Sequence, residues 1–388
     1  MNQRAPLAGR LAGFGTTIFA EMSALANRTG AVNLGQGFPD TDGPAEVLEA
    51  AVAALRAGHN QDPPGPGIAA LREAIAAHQR RFHGIELDPE GEVLVTTGAT
   101  EGIAAVMLAL CEPGDEVVTF EPYYDSYAAC IAMAGARRRP VTLRPPGYAV
   151  DPEALAAAFS PRTRLVLLNS PHNPTGKVFT RAELELVAAQ CLERDVVAVT
   201  DEVYEHLVFD GREHVPLATL PGMAERTLTL SSAGKTFSLT GWKIGWACGP
   251  RELVSAVLTA KQFLTFTGGA PFQHAIAHAL GLPDAYFESF RAGMQARRDR
   301  LCAGLEAAGL EVFRPAGTYF VTTDIRPLGE DDGHAFCLAL PERAGVVAVP
   351  SVVFYDDKEV GRPLVRFAFC KREEVIDEGA ARLARLRS

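Results

Sequence analysis

The chain has 388 residues, of which 47% are hydrophobic and 22% are charged, and its formal net charge is −10. A chain of this length is too long for a single hydrophobic core of ordinary size, which indicates one large domain and one smaller domain. The negative net charge and the absence of a block of basic residues argue against nucleic acid as a main partner. Seven scattered cysteines without a C-x-x-C pair are typical of reduced thiols in a cytoplasmic protein, not of a disulfide framework or a metal site.

Neither a secretory leader nor a membrane span is expected. The N-terminus lacks a charged region followed by an apolar one, and no apolar run is long enough to cross a bilayer.

The pattern of apolar residues predicts an α/β fold. Two Ala-rich stretches, 45–57 and 68–81, have the spacing of amphipathic helices. From Val93 onward, short β-branched strands alternate with helical segments. The predicted strands are 93–97, 116–120, 139–143, 165–169, 196–201, 227–231 and 244–248. The predicted helices among them are 101–110, 124–134, 152–158, 181–193 and 252–264. Mostly unalternating strands separated by helices predict a largely parallel seven-stranded sheet with helices on both faces.

Beyond residue 282 the pattern changes to that of a smaller α+β domain. A long charged helix is predicted over 285–308 and a last helix over 373–386. Short strands are predicted over 311–314, 319–324, 346–350 and 364–369. We therefore predict a large domain over residues 46–284 and a small domain over 285–388, which the N-terminal segment 1–45 joins.

The candidate site residues follow the predicted strands, because ligands of such sheets bind beyond the carboxyl ends of the strands. After the first strand, Ala99 and Thr100 lie among small residues that would expose helix amides to an anion, although Thr100 would serve equally as an ordinary N-cap. After the second strand come Tyr123 and Tyr124. One of these rings could stack on a planar ligand or pack in the core.

Two further strands end in polar residues. Pro171 and Pro174 would hold Asn173 in a rigid loop, where an ordinary turn asparagine is the alternative. Asp201 ends an apolar strand, with Tyr204 three residues later. A buried carboxylate needs a cationic partner, so Asp201 faces either a ligand or a structural partner.

The stretch from Ser232 to Lys243 carries one lysine, Lys235, directly after a predicted buried strand. Desolvation there would lower the pKa of its amine and make it a nucleophile, whereas a surface loop lysine is the alternative. The groups at the predicted strand ends match the chemical needs of pyridoxal phosphate. They are an amine, a carboxylate, a phenol, an amide, a flat aromatic ring and helix amides. No cluster indicates a metal.

Four segments, in this order, resemble the motifs of the fold-type I aminotransferases of class I/II: 33–40 (NLGQGFPD), 169–176 (NSPHNPTG), 201–204 (DEVY) and 232–237 (SAGKTF). The resemblance covers nearly the whole chain and is closest to the kynurenine, glutamine and methionine aminotransferase branch. Within that branch, segments 241–250, 268–273 and 367–372 are most similar to N-succinyldiaminopimelate aminotransferases.

The resemblance implies a role for each motif residue. Lys235 would hold pyridoxal 5′-phosphate as a Schiff base and then act as general acid and base at the substrate Cα. Asp201 would keep the pyridine nitrogen protonated. Asn173 and Tyr204 would bond the 3′ oxygen, and Tyr124 would stack on the ring.

The remaining roles concern the phosphate and the substrate. The phosphate would be bound by Ala99, Thr100, Ser232 and Lys243. Arg366 would clamp the substrate α-carboxylate, a task that suits the guanidinium fork, with help from Gly37 and Asn173. Phe19 would line the side-chain pocket. An ordinary edge-strand arginine is the alternative for Arg366, but its apolar neighbours Val365 and Phe367 favour a buried, partnered one.

The activity implied is ping-pong transfer of an amino group between an L-amino acid and a 2-oxo acid in a cytoplasmic homodimer. N-succinyl-LL-2,6-diaminopimelate with glutamate or 2-oxoglutarate, a reaction of lysine biosynthesis, is the expected substrate pair. Kynurenine, glutamine or methionine transamination is the alternative. β-Elimination of cysteine conjugates is a further alternative, because the same site residues could carry it out. A non-catalytic protein that only binds the cofactor is disfavoured, because it would not require Lys235, Asp201 and Arg366.

One residue departs from the family pattern. Asp62 stands in Asn60-Gln61-Asp62-Pro63-Pro64 where the family usually has a tyrosine that reaches the cofactor phosphate of the neighbouring subunit. A carboxylate near a phosphate is repulsive, by about 1 kcal/mol at 4 Å in water. We expect Asp62 to turn away or to weaken cofactor binding.

Overall fold

The computed structural model describes residues 7–387, which form thirteen strands and fourteen α-helices. The strands are β1 Val32–Asn33, β2 Val93–Thr97, β3 Glu116–Glu121, β4 Arg137–Thr142, β5 Thr163–Asn169, β6 Val197–Asp201, β7 Thr227–Ser232, β8 Ile244–Cys248, β9 Glu311–Phe313, β10 Phe320–Asp324, β11 Val346–Val347, β12 Val349–Pro350 and β13 Leu364–Ala368. The helices are α1 Ile18–Thr29, α2 Ala45–Arg56, α3 Ala69–His83, α4 Gly98–Leu110, α5 Asp125–Met133, α6 Pro152–Ala158, α7 Arg181–Arg194, α8 Ala233–Thr236, α9 Arg251–Lys261, α10 Ala270–Leu280, α11 Asp284–Ala307, α12 Gly333–Ala344, α13 Lys358–Gly361 and α14 Glu373–Leu383.

The central sheet has seven strands in the order β2-β8-β7-β6-β5-β3-β4. Strand β8 runs antiparallel to β2 and β7, and the other neighbours are parallel. The predicted α/β class and the mostly parallel seven-stranded sheet are confirmed. The carboxyl ends of β5, β6 and β7 therefore meet at one edge, as the placement of the candidate site requires.

Helices cover both faces of this sheet because alternate residues of each strand point to opposite sides. In β5, Val166 and Leu168 pack in the core beneath α6 and α7. Leu165 and Leu167 pack in a second core, beneath α4, α5 and α9. All four side chains are buried, which explains why the strand is continuously apolar instead of alternating.

The C-terminal part contains a four-stranded antiparallel sheet in the order β12-β13-β10-β9. The N-terminal segment contributes β1, in which Val32 pairs in parallel with Val346 of β11. The proposed division at residues 45/46 and 284/285 stays a prediction.

The differences from the sequence prediction have local causes. Helix α9 ends at Lys261, three residues before the predicted end, and Phe263 beyond it is 84% exposed. Helix α12 was not predicted, and it contains Pro341, which normally interrupts helices. The predicted strand 346–350 is divided into β11 and β12, which pair with different partners. None of the helices between residues 7 and 387 is both long enough and apolar enough to span a membrane.

Candidate active site

The candidate site is a cavity of about 380 Å³ beyond the carboxyl ends of β2, β5, β6 and β7. The four-stranded sheet and α1 close its other side through Arg366, Phe320 and Phe19. Every site residue predicted above borders this cavity: Phe19, Gly37, Ala99, Thr100, Tyr124, Asn173, Asp201, Tyr204, Ser232, Lys235, Lys243 and Arg366.

Lys235 lies in the single turn α8, which follows β7 directly. Its Nζ donates a hydrogen bond to Tyr319 Oη at 2.9 Å, and Tyr319 Oη in turn donates to the Gly37 carbonyl at 2.5 Å. Burial lowers the pKa of the Lys235 amine to about 8, with Cys370 and Asp201 opposing that shift. An amine with this pKa is partly deprotonated near neutral pH and can act as a nucleophile and a base.

Asp201 is the last residue of β6 and is 4% exposed. Its Oδ2 accepts a hydrogen bond from Tyr127 Oη at 2.6 Å, and its Oδ1 accepts one from the Val203 amide at 3.4 Å. Burial raises the pKa of this carboxyl, and the hydrogen bond from Tyr127 opposes the shift. A cationic ligand facing Asp201 would restore its ionised form.

A chain of amide hydrogen bonds connects Asp201 to Arg366. Asn169 Nδ2 donates to the Asp201 carbonyl at 2.8 Å, and Asn169 Oδ1 accepts from the Asn173 amide at 2.7 Å. Asn173 Oδ1 then accepts from Arg366 Nη1 at 3.0 Å. These bonds hold the loop after β5 in one position, so the Asn173 side chain is held between the two charged residues.

Arg366 lies in the middle of β13 and is 1% exposed. Its guanidinium carbon lies 3.9 Å from the Phe320 ring centre, 4.9 Å from that of Phe354 and 5.2 Å from that of Phe19. Its Nη2 donates to the Gly35 carbonyl at 3.3 Å, whereas Nε has no partner among the described residues. Burial lowers the pKa of Arg366 to about 10, which is the behaviour of a desolvated cation without a carboxylate in contact.

The N-terminus of α4, the last residue of β7 (Ser232) and Lys243 directly before β8 form a small polar pocket. Lys243 is exposed, adopts a positive φ of 57° and has no hydrogen-bond or ion-pair partner within residues 7–387. Gly245 permits a close approach of β8 to the helix, since a Cβ there would lie 2.6 Å from the carbonyl carbon of Gly98. Free helix amides, a hydroxyl from Ser232 and an unpaired cation together suit an anion such as phosphate.

Two tyrosines complete the cavity wall. Tyr124 stands at the N-cap position of α5 and borders the cavity, and burial raises the pKa of its phenol. The Tyr204 ring is 3% exposed and packs edge-on against Tyr319 at 5.2 Å. A larger residue at position 37 would displace the Phe320 ring, because a Cβ there would lie 2.4 Å from Cζ of Phe320.

The side chains that border the cavity suit pyridoxal 5′-phosphate. The desolvated amine of Lys235 suits an aldehyde, the uncompensated carboxyl of Asp201 suits a pyridinium nitrogen, and the unpaired Lys243 beside helix amides suits a phosphate. Arg366 borders the cavity and has no ion-pair partner among the described residues, so its guanidinium suits a substrate carboxylate.

Sequence reasoning missed three residues that contact the predicted ones. Tyr127 bonds Asp201, Tyr319 bonds Lys235, and Asn169 joins the loop to β6. Asn169 belongs to a motif that was identified, so its strand-end position was a usable signal. Tyr127 lies one turn along α5 from Tyr124, and only the helix orientation distinguishes the two rings.

Asp62 is exposed and does not border the cavity. Its expected effect on the phosphate of a neighbouring subunit stays a prediction.

Comparison with known proteins agrees with this geometry. Residues 29–383 match the family model described as aminotransferase class I and II. The probable N-succinyldiaminopimelate aminotransferase DapC of Mycobacterium tuberculosis is 56% identical over 385 residues, covering 97% of each chain. The methionine aminotransferase of Escherichia coli is 39% identical, again over 97% of each chain. The solved structure of N-succinyldiaminopimelate aminotransferase from Mycobacterium tuberculosis superposes with a TM-score of 0.96, at 56% identity, covering 98% of this chain and 100% of that one.

Proposed function

Because this chain belongs to the class I and II aminotransferases, we propose that it moves an amino group between N-succinyl-LL-2,6-diaminopimelate and 2-oxoglutarate, with pyridoxal 5′-phosphate as cofactor. The observation that carries the choice of substrate is the 56% identity, over 97% of both chains, to a relative described as a probable N-succinyldiaminopimelate aminotransferase. The chemistry of the cavity supports amino transfer independently of that relative.

The cofactor, when bound, supplies an aldehyde for the amino group and a conjugated ring that accepts electrons from the substrate Cα. Lys235 is the residue that would hold the cofactor and would move a proton at the substrate Cα. Its desolvation supports both tasks, since an amine with a pKa of about 8 exchanges protons readily near neutral pH. Tyr319, 2.9 Å from Nζ, orients the amine within the cavity.

Asp201 keeps the pyridine nitrogen protonated, and thereby keeps the ring electron-poor. Its buried position strengthens the pairing because few water molecules screen it. The hydrogen bond from Tyr127 favours the ionised form of Asp201 that this task needs.

Arg366 binds the substrate α-carboxylate, and Asn173 and the Gly37 region complete that subsite. The three phenylalanine rings around the guanidinium exclude water and hold its plane, so a carboxylate meets a pre-oriented donor fork. Phe19 extends this wall toward the substrate side chain.

We further propose that the chain works as a homodimer in the cytoplasm and serves lysine biosynthesis. Three apolar residues after α9 support an interface: Phe263, Leu264 and Phe266 are 84%, 45% and 53% exposed. Thr265, between them, donates a hydrogen bond to Glu101 in the first turn of α4. An exposed apolar segment anchored beside the cavity is typical of an interface that completes a site.

The test is a panel of amino donors with 2-oxoglutarate, in which glutamate formation is measured. We expect kcat/KM for N-succinyl-LL-2,6-diaminopimelate to exceed the values for methionine, kynurenine and glutamine by at least about 10-fold. A higher value for methionine or kynurenine would assign the chain to the alternative, which the E. coli methionine aminotransferase supports at 39% identity. Pyruvate released from cysteine conjugates without glutamate would indicate β-elimination.

The role of Lys235 has its own test. Lys235→Ala should abolish the visible absorption of lysine-bound cofactor and the amino transfer. Lys261→Ala is a matched control, because Lys261 is also buried but donates only to the carbonyls of Gly65 and Phe266. An unchanged visible band in Lys235→Ala would contradict the assignment.

A further inference from the structure

A second group of ionisable side chains lies outside the active-site cavity, between α3 and the segment that follows β6. His78 of α3 is 2% exposed and Glu205 is 6% exposed, while His206 is partly exposed. His78 Nε2 lies 2.8 Å from His206 Nε2. One ligand atom from each of these three residues lies within 4.8 Å of the other two.

We propose that His78, Glu205 and His206 form a binding site for one divalent metal ion of the Zn²⁺ type. Imidazole and carboxylate are ligands that suit zinc and its neighbours among the transition metals. Two histidines and one glutamate also make a known zinc ligand set, in which water takes the fourth position. We call these three residues the His-Glu site.

The facing imidazoles point to a cation between them. In the metal-free protein one ring must donate and the other accept, and Nδ1 of His78 is buried without a hydrogen-bond partner among the described residues. A buried histidine with incomplete hydrogen bonding is unusual and calls for a reason. Zinc–nitrogen bonds of about 2.05 Å at a tetrahedral angle would place the two nitrogens about 3.4 Å apart. The two ring nitrogens would need to separate by about half an ångström, and the Glu205 oxygen, up to 4.8 Å from a ring nitrogen, would need to approach by at most about 1.4 Å.

The surroundings of Glu205 resemble the outer shell of a metal site. Glu205 Oε1 accepts a hydrogen bond from Ser231 Oγ at 2.8 Å, and Oε2 lies 2.7 Å from His83 Nε2. Such bonds fix the orientation of a ligating carboxylate and leave further lone pairs on its oxygens.

The charges that act on His78 are of both signs. Glu205 supplies the negative charge, whereas Arg81 and a protonated His83, both on α3, would supply positive charge.

The location indicates what the ion would do. Aromatic rings enclose the site: Phe287 lies 4.5 Å from the His206 ring and Phe82 lies 4.8 Å from the His78 ring. The ion would join α3 to the segment directly after Asp201, so it would stabilise the fold around the cavity without touching the reacting groups. A buried ion that binds only the folded chain raises its stability by mass action.

The chain also offers a competing surface pair. The rings of His59 and His274 lie 3.9 Å apart, and His59 is exposed. These two histidines could hold a metal adventitiously, and His59→Gln is therefore the matched control.

The test uses tag-free holoenzyme that has been treated with a chelator and then titrated with Zn²⁺ or Co²⁺. We expect about one ion per chain, a rise of the Tm by a few degrees, and the visible spectrum of four-coordinate Co²⁺ with nitrogen and oxygen ligands. His206→Gln should weaken binding by at least about 10-fold, in line with the loss of one ligand. His59→Gln should bind like the wild type.

Two kinds of result would overturn the proposal. One is wild-type affinity in His206→Gln or loss of binding in His59→Gln, either of which would place the ion on the surface pair. The other is absence of binding by wild-type protein at micromolar Zn²⁺. If His206→Gln does not fold, X-ray absorption spectroscopy of the zinc-loaded wild type replaces it, because the spectrum reports how many imidazoles bind the ion. Fewer than two imidazole ligands would refute the site. None of these readouts depends on the substrate proposed above.

Discussion

Replacing Tyr127 with phenylalanine tests how the protein maintains the charge of Asp201. The Tyr127 hydroxyl donates to Asp201 Oδ2 at 2.6 Å, and both residues are buried. Phenylalanine keeps the ring and its packing in α5 but removes the donor. Burial already raises the pKa of Asp201, and losing the hydrogen bond would raise it further.

The size of the effect follows from the type of bond. A hydrogen bond to a charged group contributes about 1.5–3 kcal/mol, and each 1.4 kcal/mol corresponds to a factor of 10. Only the ionised carboxylate pairs with a protonated pyridine nitrogen. The bond already exists without cofactor, so only the part of its free energy that favours the ionised carboxylate enters the binding constant. The dissociation constant for pyridoxal phosphate should therefore rise in Tyr127→Phe by at most roughly 150-fold.

The assay is equilibrium binding of the cofactor to apoprotein, followed by absorbance or fluorescence, together with the Tm of the apoprotein. Tyr355→Phe is the matched control, since Tyr355 is 1% exposed and its hydroxyl has no hydrogen-bond partner among the described residues. A dissociation constant within twofold of wild type in Tyr127→Phe would refute the reasoning. So would an equal weakening in both variants.

Three further predictions concern the same cavity. Because the pKa of Lys235 is about 8, the free-amine fraction in the apoprotein rises about tenfold from pH 7 to pH 9, and the rate of cofactor attachment should rise with it; a rate that changes less than threefold would contradict this. Arg366→Lys should raise KM for the amino donor by about 10-fold or more with little change in cofactor affinity, because an ammonium cannot replace the bidentate fork; equal losses in both would argue for a folding defect. Asp62→Tyr should tighten cofactor binding in equilibrium titrations, whereas unchanged or weaker affinity would remove Asp62 from the account.

Local sequence was sufficient for the strands of the central sheet. Predicted strands 93–97 and 244–248 coincide with β2 and β8, and the other five differ by at most two residues at either end. Continuous burial on both faces forces these segments to be apolar and β-branched, so the signal is strong without any knowledge of the partners. The rule that ligands bind beyond strand ends then selected residues such as Asp201 and Lys235.

The helices were less uniformly predictable, because a helix that is buried on several sides loses its periodic pattern. α10 escaped prediction, and its residues Ala270 to Leu280 are mostly small and apolar. α2 was predicted within one residue, since its buried positions Val47, Ala51 and Ala54 recur at helical spacing.

By itself, the sequence determined the α/β class, the strand ends and the residue types that meet there, since these depend on burial and on local backbone preference. Tertiary structure alone decided which partner each group meets. Tyr127 bonds a carboxylate 74 positions away, Tyr319 bonds a lysine 84 positions away, and His78 faces His206 across 128 positions. Such pairs form only when helices and strands have packed at particular angles, and nothing in the local sequence at either partner encodes those angles.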